Sequence, residues 1–228
     1  NNDSAYEAAI SLFQKGINIK AIIDNRENVD SKLVKEIEKN NIRIYKGYTV
    51  VNTFGYKRVN KISIMQLSKD GQKVVGSKIS IDCDCLGMSG GWTPAVHLFT
   101  QSGGKLKFRD DDQVFIPDTY PSDQISIGSC NGEFTLDEIL SSISKKLKDF
   151  LNIKKTEYEN LEIQSHFNKT KRNIWLLPSD KIIGKTKPFV DYQNDATAKD
   201  IKLALREGFR SIEHVKRYTT TGMGTDQG

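Results

Sequence analysis

Only three cysteines occur in the 228 residues, and two of them, Cys83 and Cys85, stand a single residue apart. That is too few for a disulfide framework and points to a reducing compartment, so a cytoplasmic protein is expected. Long apolar runs are missing as well. None approaches the roughly 20 residues needed to cross a bilayer, and no secretory leader is visible, so no membrane partner is expected. Absent too is a G-x-G-x-x-G fingerprint at the opening of the first helix, where a dinucleotide-binding unit would carry it. The first residue is Asn rather than Met, and an internal fragment of a longer chain is expected.

What is present is the composition of an ordinary globular chain, 37% hydrophobic and 28% charged, long enough for one large domain or two small ones. The net charge of +5 is unevenly spread: residues 141–188 hold 11 Lys/Arg against 5 Asp/Glu, leaving the remainder near neutrality. This basic segment reads as a solvated linker over residues 151–188, with a docking surface for another chain as its sharper reading; nucleic acid is not an expected partner.

The opening residues predict an amphipathic helix, with a polar cap cluster at Asn1 to Ser4, an apolar face of Ala5, Ala9, Leu12 and Phe13, and a stop at Gly16. Residues 19–23 follow as a buried strand ending at Asp24. The order matches the second half of a βαβ unit whose first strand would precede Asn1. Asp3 at the helix start would repel phosphate, so this lobe is expected to keep the nucleotide-binding topology without the ligand. Asp24 then reads as a turn residue rather than a ribose ligand. A charged helix is expected over residues 31–40 and a strand over 42–45. Strands over 58–67 and 73–81, joined by Lys69-Asp-Gly71, form a meander.

Ile79 to Pro94 then runs a strand into Gly87-Met-Ser-Gly-Gly91. This formally satisfies G-x-S-x-G, with Ser89 as a serine nucleophile and His97, His166 or His214 as bases, but a meander precedes Ser89 and Trp92-Thr-Pro94 replaces the required helix. Cys83 and Cys85 share one strand face with only Cys130 to help, too few for a metal centre, and read as buried reduced thiols. A second strand is expected over 123–127, leading into Gly128 and Gly132 before a helix over 136–151 with Thr135 as its N-cap. Two such crossings suit the lining of a dinucleotide, with Gly87, Ser89, Gly90, Gly128, Ser129, Cys130, Phe134 and Thr135 as the cofactor-binding candidates. No catalytic residue and no metal ligand is expected.

Taken together, Asp84-Cys-Leu-Gly-Met-Ser-Gly-Gly-Trp-Thr-Pro-Ala-Val-His-Leu-Phe99, Gln101-Ser-Gly-Gly-Lys-Leu106, Phe189-Val-Asp-Tyr-Gln-Asn-Asp195 and Tyr218-Thr-Thr-Thr-Gly-Met-Gly-Thr-Asp-Gln-Gly228 resemble the α subunits of heterotetrameric sarcosine oxidases. The resemblance covers essentially the whole chain. It implies part of an enzyme that oxidatively demethylates sarcosine to glycine, with tetrahydrofolate as one-carbon acceptor. It also implies partnership with β, γ and δ subunits, NAD in the α subunit, FAD in the β subunit, FMN at the α/β interface, and a folate domain beyond the present C-terminus. Related flavoproteins place Asp where Ser129 stands, which argues against FAD in this chain and suits NAD. An amine-oxidising subunit of the proline or opine dehydrogenase type, or a non-catalytic scaffold, is the alternative.

The implied fold is α/β: a partial two-dinucleotide-domain, Rossmann-like oxidoreductase fold followed by a small helical module. Residues 1–80 would form an inserted nucleotide-binding-like lobe, 81–150 the returning half of the dinucleotide domain, 151–188 the linker, and 189–228 the module. In that module Thr197-Ala-Lys-Asp200 opens a helix with a stripe of Ile201, Ala204 and Leu205, and Ser211 opens a second one. Six Lys/Arg against six Asp/Glu over residues 189–228 make it a poor helix-turn-helix reader of DNA. It resembles bacterioferritin-associated ferredoxin, but Asp191, Gln193 and Asp226 stand where that family has cluster cysteines. No iron–sulfur centre is therefore expected.

Overall fold

A computed structural model describes residues 1–121, 123–152 and 174–225. The chain separates into two compact units, one of Asn1–Gly47 with Leu86–Asn173, the other of Tyr48–Cys85 with Ile174–Gly228. The architecture is mixed α/β. Most of the basic segment expected over 151–188, including His166, lies outside the described residues, as does Asp226.

The first unit opens with helix α1 (Ser4–Gln14), strand β1 (Ala21–Asp24), helix α2 (Lys32–Lys39) and strand β2 (Arg43–Lys46), with β1 and β2 paired in parallel from Ala21↔Arg43 to Asp24↔Lys46. Ser31 caps α2 by accepting the Val34 amide at 3.3 Å, and Val34 and Ile37, three residues apart, turn to the core. That core joins Tyr6, Ala9, Ile10, Ile22, Val29, Val34, Ile37 and Ile42. Each fully buried Ile there contributes on the order of 1.5–3 kcal/mol by leaving water. The buried stripe of α1 is therefore Tyr6, Ala9 and Ile10, and the expected face is corrected, since Leu12 and Phe13 are exposed. The stripe is set one residue round the helix because Tyr6 has a buried acceptor waiting for its hydroxyl.

The later part of this unit holds the short helix α3 (His97–Gln101) and a two-stranded antiparallel hairpin. Its strands are β6 (Lys105–Arg109) and β7 (Val114–Thr119). A single 3-10 turn at Gly128–Asn131 and helix α4 (Leu136–Leu151) follow. The strand expected over 123–127 is not formed; the segment is irregular up to the 3-10 turn. Its alternating isoleucines find no neighbouring strand, and the ladder goes instead to the unexpected β6–β7 hairpin. Helix α4 keeps the predicted bounds, with Glu138 reaching back to the Thr135 amide at 3.4 Å.

The second unit contains a three-stranded antiparallel meander in the order β3 (Tyr48–Phe54), β4 (Lys61–Leu67), β5 (Val74–Asp82). Strand β4 buries Ile62, Ser63, Ile64 and Met65 in succession, as a central strand covered on both faces does. The predicted turn forms: Ser68 Oγ donates to Asp70 and accepts the Lys73 amide at 3.0 Å. Strand β3 is the addition that the sequence reading omitted. Within the same unit Lys78 on β5 pairs with Asp180 at 2.6 Å.

The unit closes with the hairpin β8 (Phe189–Asp191) and β9 (Ala196–Thr197), then helices α5 (Ala198–Arg206) and α6 (Ile212–Thr219). Asp200 accepts both the amide and the hydroxyl of Thr197 at 2.8 and 2.7 Å, fixing the start of α5. Ala204 and Val215 form the buried seam, and Phe209 stacks on Tyr218 with ring centres 4.8 Å apart. Leu205, expected in the stripe, is exposed.

Candidate functional site

The candidate residues form two groups in the first unit. Gly87, Ser89 and Gly90 lie in the irregular segment 83–96 between β5 and α3, and residues 89–91 lie against the start of α1. Ser89 Oγ is 2.8 Å from Ser4 Oγ and donates to Asn2 Oδ1 at 3.4 Å, while Asn1 Nδ2 donates to the Gly90 carbonyl at 2.6 Å. The hydroxyl's partners are thus Ser4 and Asn2. His97 sits in α3, and His214 sits in α6 with its ring 6.5 Å from Phe209.

The helix start itself is filled by a buried ionic cluster. Arg26 donates through Nη2 to Asp3 Oδ1 and to Asp24 Oδ2, both at 2.8 Å, and through Nε to Asp24 Oδ1 at 3.1 Å. The Tyr6 hydroxyl donates to Asp24 Oδ2 at 2.8 Å. Burial works to raise the Asp24 pKa, but the Arg26 guanidinium, the Arg26 amide and the Tyr6 hydroxyl outweigh it and hold it below the usual aspartate range. The same neighbourhood pushes Tyr6 far up, burial first and the Asp24 charge second. Both Asp24 oxygens accept hydrogen bonds from Arg26, one of them from the Arg26 amide two residues on, so this carboxylate organises the turn after β1. Sequence reasoning missed Arg26; the only available signal was Asp24-Asn-Arg26, where a carboxylate two residues before a guanidinium can close a tight turn.

Gly128, Ser129, Cys130, Phe134 and Thr135 form the second group. Gly128 has φ +76°, a left-handed backbone that favours glycine, and its amide donates to Glu133 Oε2 at 3.0 Å. Cys130 Sγ donates to the Ile127 carbonyl at 3.0 Å, Ser129 is exposed, and the Phe134 and Thr135 amides donate to Glu138 Oε2 at 3.3 and 3.4 Å. The amides expected to hold a cofactor phosphate do converge on anionic oxygen. That oxygen belongs to the chain's own Glu133 and Glu138, neither of which was singled out in the sequence. The donor chemistry of this turn fits an anion, whereas the start of α1, closed by Asp3 and Asp24, does not.

The thiols divide. Cys83 is half-buried and burial, followed by the nearby Asp84, Cys85 and Asp82, raises its pKa. Cys85 is exposed, which corrects the expectation that both are buried, because β5 ends at Asp82 and releases the chain. Among the described residues no three His, Cys, Asp or Glu side chains gather in a way that could hold a metal ion. At the C-terminal module Asp191 accepts the amides of Asn194 and Gly222 at 3.0 and 2.8 Å, and Gln193 Nε2 donates to Thr225 Oγ1 at 2.9 Å. Asp191 and Gln193 therefore tie the β8–β9 hairpin to the closing segment by hydrogen bonds.

In class, then, the chain is a mixed α/β protein similar to oxidoreductase subunits. More narrowly, it is similar along its whole length to sarcosine oxidase α subunits, as the motifs of residues 84–99, 189–195 and 218–228 implied. The family model described as the sarcosine oxidase A3 domain matches residues 185–228. The sarcosine oxidase subunit alpha of Corynebacterium sp. (strain P-1) is 29% identical over 235 residues, covering 100% of this chain and 24% of the relative. That of Rhizobium meliloti (strain 1021) is 29% identical over 240 residues, covering 100% of this chain and 22% of the relative. The chain spans about a quarter of the length of the curated relatives it matches. The crystal structure of L-proline dehydrogenase from P. horikoshii is a loose likeness, with TM-score 0.45 and 17% identity over 91% of this chain and 41% of that one.

Proposed function

We propose that the chain is the central part of a sarcosine oxidase α subunit, a cytoplasmic oxidoreductase component that works with β, γ and δ subunits in the oxidative demethylation of sarcosine to glycine, with tetrahydrofolate as one-carbon acceptor. The observation that carries this reading is similarity to sarcosine oxidase α subunits from the first residue to the last. Its own contribution is part of an NAD site and a surface near FMN at the α/β interface, while FAD and folate belong elsewhere in the assembly. Gly128, Ser129, Cys130, Phe134 and Thr135 would form one wall of the NAD site, with Gly87, Ser89 and Gly90 near the start of α1. Bound NAD would accept or donate hydride; this chain's residues would bind and orient it. The reading of residues 189–228 as a ferredoxin-like module without its cluster, held closed by Asp191 and Gln193, is part of the same proposal.

Co-purification of the full-length protein with its partner subunits and an assay of sarcosine-dependent glycine formation test the reading. The expected result is sarcosine turnover by the assembly and none by the isolated chain; an assembly inert to sarcosine would reject it. The filled ionic cluster at Asp3, Arg26 and Asp24 favours a second reading, in which this part is a scaffold. Full activity of the assembly without bound NAD would favour that second reading.

A further inference from the structure

We propose that Glu133 is an internal stand-in for a phosphate group, so that a phosphate-bearing ligand enters the turn before α4 only by displacing this carboxylate. The inference rests on reading residues 128–135 as one wall of an NAD site.

Four donors of different kinds meet on this one side chain. The Gly128 amide and the Ser142 hydroxyl donate to Oε2 at 3.0 and 2.8 Å; Asn131 Nδ2 and Lys146 Nζ donate to Oε1 at 3.1 and 2.5 Å. A backbone amide, a hydroxyl, a carboxamide and an ammonium are the groups that cradle a phosphate, and here they are assembled around an anion already. Ser142 and Lys146 come from one face of α4, four residues apart, well past its first turn. The helix N-terminus is a separate feature, since its amides at Phe134 and Thr135 are served by Glu138. The seat is thus built by the 3-10 turn and the flank of α4 together.

The Glu133 side chain is 16% exposed, so rotation of its own torsions carries the carboxylate into water without unfolding the turn. Burial acts to raise its pKa, but Lys146, the Gly128 amide, Ser142 and Asn131 outweigh it, and the group stays charged at neutral pH. Two anions cannot share these donors, so a phosphate must expel Glu133 and gains only the difference between the two interactions. A ligand without phosphate never meets the barrier. Glu133 therefore acts as a selectivity and affinity element for the turn, and Lys146 is the cation that passes from one anion to the other.

Calorimetric titration of the full-length protein and its Glu133→Gln variant with NAD, and with adenosine as the phosphate-free control, tests this. Gln keeps the side-chain shape and can still accept the Gly128 amide, so the turn is retained while the competing charge is gone. The expected result is NAD binding about tenfold tighter in Glu133→Gln, no change for adenosine, and loss of the gain when Lys146→Met is added. In the unaltered protein the Gly128 amide resonance should shift on addition of NAD, because its acceptor changes. Equal NAD affinity in both proteins, or an unmoved Gly128 resonance on saturation, would overturn the role of Glu133 and leave the NAD reading standing. An equal gain for adenosine would also overturn competition by phosphate. Absence of NAD binding in both proteins would overturn the NAD reading and this inference with it.

Discussion

The guanidinium of Arg26 clasps the carboxylate of Asp24 through both Nε and Nη2, at 3.1 and 2.8 Å, with the two side chains almost wholly removed from solvent. The cation also holds Asp3 at 2.8 Å, so it neutralises carboxylates at the start of α1 and at the end of β1 together. Removing it leaves two buried carboxylates facing each other. Arg26→Leu should therefore destabilise the fold by about 3–5 kcal/mol. Chemical denaturation of the full-length protein measures this, and a change under about 1 kcal/mol would show that water reaches the cluster.

Two carboxylates, Asp24 and Glu133, give a pH dependence of definite sign. Asp24 and Glu133 both have folded-state pKa values below their ordinary ones. A depressed carboxylate contributes stability that is complete above its unfolded pKa of about 4 and is lost as pH falls through the folded value. Melting temperature should thus be insensitive to these two groups at neutral pH and fall steeply below about pH 4. Glu133→Gln should flatten that acid limb while leaving the curve above pH 6 parallel to the original; an unchanged acid slope would remove Glu133 from the account.

Much of this architecture is legible in the sequence wherever a local signal sets it. Helix α4 is announced by Thr135 with Glu138 three residues on, and α2 by Ser31 with Val34 and Ile37 on one face. Elements defined by their partners are harder. Ile125 and Ile127 have the alternation of a strand but acquire no neighbour, whereas Lys105-Leu-Lys-Phe-Arg109 pairs with Val114–Thr119 despite its charge. The Tyr48–Phe54 strand is a run of β-formers that could have been read, and its partner register to β4 could not. At the candidate site the glycines and the cap were visible. The carboxylates of Glu133 and Glu138 were not, because only the folded turn brings them back onto amides that a cofactor would otherwise take. Arg26 was missed for a related reason: an arginine is placed at the surface by default, and the two acids that bury it lie 2 and 23 residues away.

Asp191 offers a test of the closure at the C-terminal module. Its carboxylate, held below the ordinary range by the amides of Asn194 and Gly222 and by the Asn194 side chain, spans the 31 residues to the closing segment. Asp191→Ala should release the Gly222 amide to exchange with solvent while α5 and α6, joined through Ala204 and Val215, keep their protection. Hydrogen exchange resolved to single amides decides between this and a global loss of the module. Asp191→Asn, which retains an acceptor oxygen, should show a smaller effect than Asp191→Ala.

Gly55 closes the β3–β4 connection with φ +134°, a backbone region that side chains rarely enter, and an added Cβ would overlap the Arg58 carbonyl oxygen. Both the backbone and the neighbouring main chain therefore resist any substitution. Gly76 in β5 provides the matched control: its φ is +75°, yet nothing lies near the position of its Cβ. Gly76→Ala meets only the left-handed backbone cost of about 1 kcal/mol, whereas Gly55→Ala must also displace Arg58 and with it the entry to β4. The expected order of thermal stability is unaltered protein, then Gly76→Ala, then Gly55→Ala. Equal losses at the two sites would mean that the 55–60 connection shifts freely and that the start of β4 is not held by this turn.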